Sequence, residues 1–244
     1  MKRPRLFIGA AVLAVAMAGS ASLGSVASAE EPPHLMADIL VTETIEVTGT
    51  FDGSGNRYIG SGDLGDGGQS EGQDPLFRLA AGATLVNVTL GSPAADGVHC
   101  AGSCTLRNVI WQDVGEDAAT FRGTNATVLV DGGSAASASD KVFQDNRGAG
   151  GSVTIRNFTA NGFGTFYRSC GNCSTQAARS STLSNITGSG NTLAGINVNY
   201  GDVTRLSGLN IGSTTICVLY NGNNSGDEPD EIGEGPNNTN CIVS

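Results

Sequence analysis

The sequence predicts an all-β protein, a single-stranded parallel β-helix whose coils each take about 20 to 28 residues. Three observations carry that expectation. The 244 residues include 36 glycines and only 5% aromatics, against an average glycine usage of about 7%, which suits short strands broken by tight turns. Hydrophobic residues make up 39% of the chain and run along its whole length, so a core can be buried and wholesale disorder is excluded. No three-residue glycine period exists, which excludes collagen. Finally, short apolar-x-Asn-apolar segments recur at a spacing near one coil, and no stretch carries a convincing helical period.

In chain order, Lys2, Arg3 and Arg5 precede an apolar run from Leu6 to Ala18 and then Ala27-Ser28-Ala29, the layout of a secretory signal with its cleavage site. The run is too short to span a bilayer. Residues 1–29 are therefore expected to be removed on secretion, residues 30–244 to form the β-helical domain, and no membrane span or membrane partner is expected. Loss of three of the thirteen cations leaves ten against 23 acidic residues, a formal charge of −13. Such a balance disfavours nucleic acid as a partner, and a polyanion would need a bridging cation or a local basic patch.

The repeat begins at Leu85-Val-Asn87-Val88 and returns at Leu106-Arg-Asn108-Val109, Ile155-Arg-Asn157-Phe158 and Leu183-Ser-Asn185-Ile186, with a degenerate copy at Leu206-Ser-Gly208-Leu209. Val128-Leu-Val130 fills the long interval between the second and third copies. Roughly ten residues after each segment comes a second apolar stretch, at Val98, from Ala118 to Phe121, at Val142-Phe143, at Phe166-Tyr167 and from Ile196 to Val198. One coil has too little core of its own, so burial comes from stacking like residues of successive coils about 4.8 Å apart. Asn87, Asn108, Asn157 and Asn185 are expected to align at one turn as an amide ladder. Asn87-Val-Thr89 and Asn185-Ile-Thr187 also match glycosylation acceptors, but the periodic placement favours the ladder.

Rare residues narrow the chemistry. Beyond the signal there is one lysine, Lys141, and two histidines, His34 and His99, so a histidine-dependent triad or zinc site would rest on His99 alone. Six cysteines in an exported chain read as disulfides, and spacing suggests Cys100 with Cys104, Cys170 with Cys173 and Cys217 with Cys241. Cys170-Gly-Asn-Cys173 has redox spacing, but nothing around it suggests a thioredoxin-like unit. Asp96, Asp117 and Asp140 are close to one coil apart and should stack on one face, with Glu116 beside Asp117. Carboxylates stacked at roughly 5 Å repel as bare anions. Either they form a solvated acidic edge, or Asp96, Glu116 and Asp117 hold a calcium ion, which accepts six to eight oxygen ligands in irregular geometry. Lys141 follows Asp140, and Arg168 lies on the same side a coil or two further. Together they could hold an anionic ligand, or Lys141 could simply pair with Asp140 or Asp145. The acidic loop Asp227 to Glu234 reads as a solvated turn ahead of a second calcium loop, because of Pro229 and the glycines in and beside it, Gly226, Gly233 and Gly235.

Five blocks in order carry a family resemblance: Asp96-Gly-Val-His-Cys100-Ala-Gly-Ser-Cys104, Trp111-Gln-Asp-Val-Gly-Glu-Asp-Ala-Ala-Thr120, Asp140-Lys-Val-Phe-Gln144, Phe166-Tyr-Arg-Ser-Cys-Gly-Asn-Cys173 and Gly195-Ile-Asn-Val-Asn-Tyr-Gly-Asp202. From about Met36 to the C-terminus the chain resembles the pectate lyases of polysaccharide lyase family 3. The resemblance implies a right-handed parallel β-helix, secretion, calcium dependence and polygalacturonate or pectin as substrate, cleaved by β-elimination. It implies Asp96, Glu116 and Asp117 as calcium ligands, Lys141 as the base that takes the C5 proton, Arg168 as the group binding the uronate carboxylate, and Tyr167, Asp140 and Asn199 as further substrate contacts. Arg168 as base is the chemically harder alternative, since guanidinium rarely deprotonates. A monomer is expected. The family commonly has lysine in a Phe-Gly-Lys-Leu-Tyr-Arg run, where this chain has Phe163-Gly-Thr-Phe-Tyr-Arg168 with Thr165. One substrate-binding cation is thus missing, and Arg147 or Arg179 are candidates to replace it. The competing class is a non-catalytic β-helix binding acidic polysaccharide in the same groove, with a β-helical hydrolase as a weaker third.

Overall fold

The computed structural model describes residues 38–70 and 72–244. The expected signal segment, its expected cleavage site and His34 lie outside the described residues. Among the described residues eighteen strands form one continuous sheet wound into a solenoid, with every strand pair parallel except the late pairing of Thr215–Asn221 with Asp230–Glu234. The chain passes from one face to the next within each coil, and the two longest strands, Ser152–Ser169 and Ser180–Asn197, bend from face to face. The fold is thus the parallel β-helix that the repeat arithmetic predicts.

The apolar-x-Asn-apolar segments build one continuous inner column. Phe51 pairs with Leu85, then Leu106, Val130, Ile155, Leu183, Leu206 and Val243 in unbroken parallel register. Its members from Leu85 to Leu206 are at most 1% exposed, and each such side chain contributes about 1.5–3 kcal/mol by leaving water. The steps from Leu85 to Leu206 fall within 21 to 28 residues. The first and last steps are longer, because loops before Phe77 and after Asn221 leave the coil. A second column, Phe77, Val98, Ala119, Phe143, Tyr167, Ala194 and Cys217, backs the face described below.

The asparagine ladder is present but interrupted. Asn108 donates to Asn87 Oδ1 at 2.9 Å and Asn185 to Asn157 Oδ1 at 3.1 Å. The coil between these pairs places Gly132 at that corner, so Asn157 instead donates to Asp131 Oδ1 at 2.9 Å. Backbone conformation explains the residue choice. All four asparagines have φ between +52° and +55°, and Gly132 has +71°, a left-handed turn that asparagine and glycine tolerate best.

The disulfides are Cys100–Cys104, Cys170–Cys173 and Cys217–Cys241, as the spacing suggests. The acidic loop differs from its expected solvated turn. Asp230–Glu234 is a strand, paired antiparallel with Thr215–Asn221, so the loop folds back beside the face carrying Arg168. Among the described residues no helix is long and apolar enough to cross a membrane.

Candidate active site

One face of the solenoid opens into a groove of about 820 Å³ whose walls include Asp96, Glu116, Asp117, Lys141, Thr165 and Arg168. Parallel register turns sequence spacing into spatial order. Asp117 opens the strand Asp117–Phe121 and pairs with Lys141, which pairs with Thr165. Three residues along the same strands, Thr120, Gln144 and Arg168 form a second outward column. Lys141 and Arg168 thus sit on adjacent coils, roughly one rung of 4.8 Å apart along the axis and about 10 Å along the strand.

Register corrects one expectation. Asp140 is not the third member of the carboxylate column, because the coil after Asp117 is one residue longer than the Asp117 to Asp140 interval. Lys141 takes that place, and Asp140 lies just outside the strand, its exposed carboxylate bonded to Lys141 Nζ. Lys141 Nζ also lies 3.5 Å from Asp117 Oδ1 and 3.8 Å from Glu116 Oε1. Of the two pairings left open by the sequence, that with Asp140 exists and that with Asp145 does not.

Asp96, Glu116 and Asp117 converge as expected, each offering a ligand oxygen within 4.8 Å of the others, and all three are buried. Asp96 Oδ1 has no hydrogen-bond partner and Asp117 Oδ1 has only the Lys141 ammonium in ion-pair range, a costly state for buried carboxylate oxygens. His99, in the outward column with Thr120, donates from Nε2 to Asp96 Oδ2 at 2.7 Å and so orients that carboxylate. Burial, reinforced by Asp117 and Asp96, pushes the Glu116 carboxyl up to about 8. Burial likewise pushes Asp117 up to about 8 despite the neighbouring Lys141 charge. Burial opposes the Lys141 charge, yet Asp117, Asp140 and Glu116 together outweigh it and hold the ammonium above its ordinary pKa. Arg168 moves the other way, lowered by burial. A hard, oxygen-only donor set with unpartnered oxygens fits calcium well.

Several expected substrate contacts belong to the scaffold instead. Tyr167 is 1% exposed and donates its hydroxyl to Asp145 Oδ2 at 2.7 Å, because it lies in the inward column of Phe143 and Ala194 while its neighbour Arg168 points out. Asn199 spends its amide on Gly222, donating to the carbonyl at 2.8 Å and accepting from the amide N–H at 2.9 Å, and so clamps two coils. Arg147 is fully buried in a two-pronged pair with Asp145, at 2.9 and 2.8 Å. Arg179 is buried too, donating to Arg147 and Cys170 carbonyls. Neither supplies the cation missing at Thr165. Sequence reasoning missed His99, Asn197, Tyr220 and Glu228 around the site. His99 and Asn197 lie within quoted motifs, but Tyr220 and Glu228 come from later segments whose placement the repeat does not fix.

A parallel β-helix carrying a carboxylate trio and two cations along an open groove defines an enzyme of the β-helical polysaccharide lyase class. A pectate lyase family model matches residues 30–227, and the chain belongs to the pectate lyases of polysaccharide lyase family 3. It is 44% identical over 211 residues to a probable pectate lyase E of Neosartorya fischeri, covering 84% of this chain and 82% of that one. To a probable pectate lyase E of Aspergillus flavus it is 46% identical over 202 residues, covering 81% and 77%. Among solved structures it resembles the catalytic domain of pectate lyase PelI from Erwinia chrysanthemi, with a TM-score of 0.69 and 32% identity over 85% of this chain and 97% of that one. PelI in complex with tetragalacturonic acid matches with a TM-score of 0.65 and 31% identity over 84% and 68%. These findings favour the enzyme over the non-catalytic binding module.

Proposed function

We propose that the chain is a secreted, monomeric, calcium-dependent pectate lyase that cleaves α-1,4-polygalacturonate by β-elimination, with Lys141 as general base and Arg168 binding the uronate carboxylate. The observation that carries this reading is the meeting of Lys141 Nζ with the Asp96, Glu116 and Asp117 cluster at the foot of the groove that Arg168 also lines. Asp96, Glu116 and Asp117 would hold the calcium. Bound there, calcium would withdraw charge from the uronate carboxylate and make the C5 proton easier to remove.

Neutral Lys141 takes the C5 proton, the electrons of that C–H bond form the C4–C5 double bond, and the C4–O glycosidic bond breaks with its pair on the leaving oxygen, which is protonated from water. Lys141 must first lose its own proton, and the carboxylates around it favour keeping that proton. The base is released as Glu116 and Asp117 engage other partners or as the pH becomes alkaline. Arg168 contributes a fixed cation that orients the uronate and offsets the charge developing at its carboxylate. Three disulfides and the signal-like N-terminus support secretion, with cleavage after Ala29.

The test is to incubate the purified protein with polygalacturonate and follow ultraviolet-absorbing unsaturated oligomers. Absorbance should grow with calcium at alkaline pH, stop on chelation and resume on readdition. No absorbance over a wide pH range with calcium present would sink the lyase reading.

A further inference from the structure

Arg168 sits in a fitted cradle whose parts come from three other segments. Its Nη1 donates to Asn197 Oδ1 at 3.1 Å and to the Ser169 carbonyl. Asn197 is fully buried and its orientation is fixed, because Nδ2 donates to the Ser169 and Cys170 carbonyls and to Asp202 Oδ2, at 3.2, 3.0 and 3.2 Å. Only the amide oxygen is left to face the guanidinium. On the other side the guanidinium carbon lies 4.0 Å from the centre of the Tyr220 ring, within cation–π range. Two glycines make the space: a Cβ at Gly195 would stand 2.6 Å from Arg168 Cδ, and one at Gly171 would stand 2.4 Å from Arg168 Nη2.

These contacts divide the guanidinium. Nη1 is spent on the protein, while among the described residues Nε and Nη2 make no hydrogen bond. That pair of donors is the edge that grips a carboxylate through two parallel bonds. We propose that Tyr220 and Asn197 are positioning residues for substrate: they lock Arg168 so that its Nε/Nη2 edge is presented to a carboxylate in the groove. This rests on the reading of Arg168 as the uronate-binding cation. An arginine free to rotate would present that edge only part of the time and would lose side-chain entropy on binding.

Affinity for tetragalacturonate with calcium, measured by calorimetry in a Lys141→Ala background so that the ligand is not turned over, and the order of the Arg168 Nε–H group, measured by NMR relaxation, test the proposal together. Tyr220→Leu should weaken affinity about tenfold and loosen the Nε–H group. Tyr220→Phe, which keeps the ring, should restore both. Gly195→Ala, whose methyl group would press on Arg168 Cδ, should weaken affinity at least as much. In an Arg168→Ala background, Tyr220→Leu should add nothing, an outcome a merely structural role would not give. Unchanged affinity and unchanged Nε–H order in Tyr220→Leu would overturn the proposal, as would an equal loss with and without Arg168. The NMR readout does not depend on turnover, so it decides the cradle separately even if the lyase reading fails.

Discussion

Lys141 and Arg168 show how neighbours set a residue's role. The lysine is ringed by Asp117, Asp140 and Glu116, which hold its proton, whereas burial lowers the pKa of Arg168 from its ordinary value. The shifts narrow the gap between the two, but guanidinium starts so high that lysine remains the better base. Lys141→Ala should lower kcat by about 10²–10⁴-fold, the usual worth of a positioned base, while circular dichroism and binding of substrate stay close to wild type. Turnover near wild type in that variant would reassign the base. Lys141 and the carboxylate trio were legible in the sequence because each is rare or periodic. Tyr167 was misread because a motif block names residues without saying which alternate side chain points into the core, and Asn199 because the block does not show that its amide is spent on Gly222.

At the scale of elements, coil length decides what meets what. Asp117 to Asp140 is close to a coil, yet the register partner of Asp117 is Lys141, and that one-residue step replaces a third stacked carboxylate with a cation. The apolar column from Leu85 to Leu206 could be read directly, since every member occupies the same place in its repeat. The strand Asp230–Glu234 could not, because its antiparallel pairing with Thr215–Asn221 follows no repeat. Two substitutions probe this level. Asn108→Gly keeps the left-handed φ of +52° and should be nearly neutral, whereas Asn108→Ala should cost about 1–2 kcal/mol in chemical denaturation. Equal costs would mean that the side-chain bond to Asn87 matters more than the backbone. Phe143 lies among Trp111, Phe121, Phe158 and Phe166, with ring centres 5.2 to 6.1 Å away. Its replacement by alanine should cost about 3–5 kcal/mol.

For the whole molecule, the acidic cluster couples stability to pH, and the proposed calcium site would couple it to calcium as well. Glu116 and Asp117 rise from ordinary values of 4.5 and 3.8 to about 8 in the folded chain. Between about pH 4 and pH 8 the folded state therefore binds more protons than the unfolded one, and stability falls as pH rises through that window. Calcium-free protein should melt at a lower temperature at pH 8.5 than at pH 5, and calcium should raise the melting temperature far more at pH 8.5. A calcium effect independent of pH would show that the trio is not the binding site. The acidity that seems to bar a polyanionic substrate is in this account the feature that recruits it.

The claim that most needs testing is that the groove breaks polygalacturonate by elimination. Tetragalacturonate digested to two fragments and weighed by mass spectrometry decides it, because elimination adds no atoms while hydrolysis adds one water. The account predicts fragments whose masses sum to that of the substrate, the newly formed non-reducing end carrying the double bond. Fragments that together exceed the substrate by one water would contradict it.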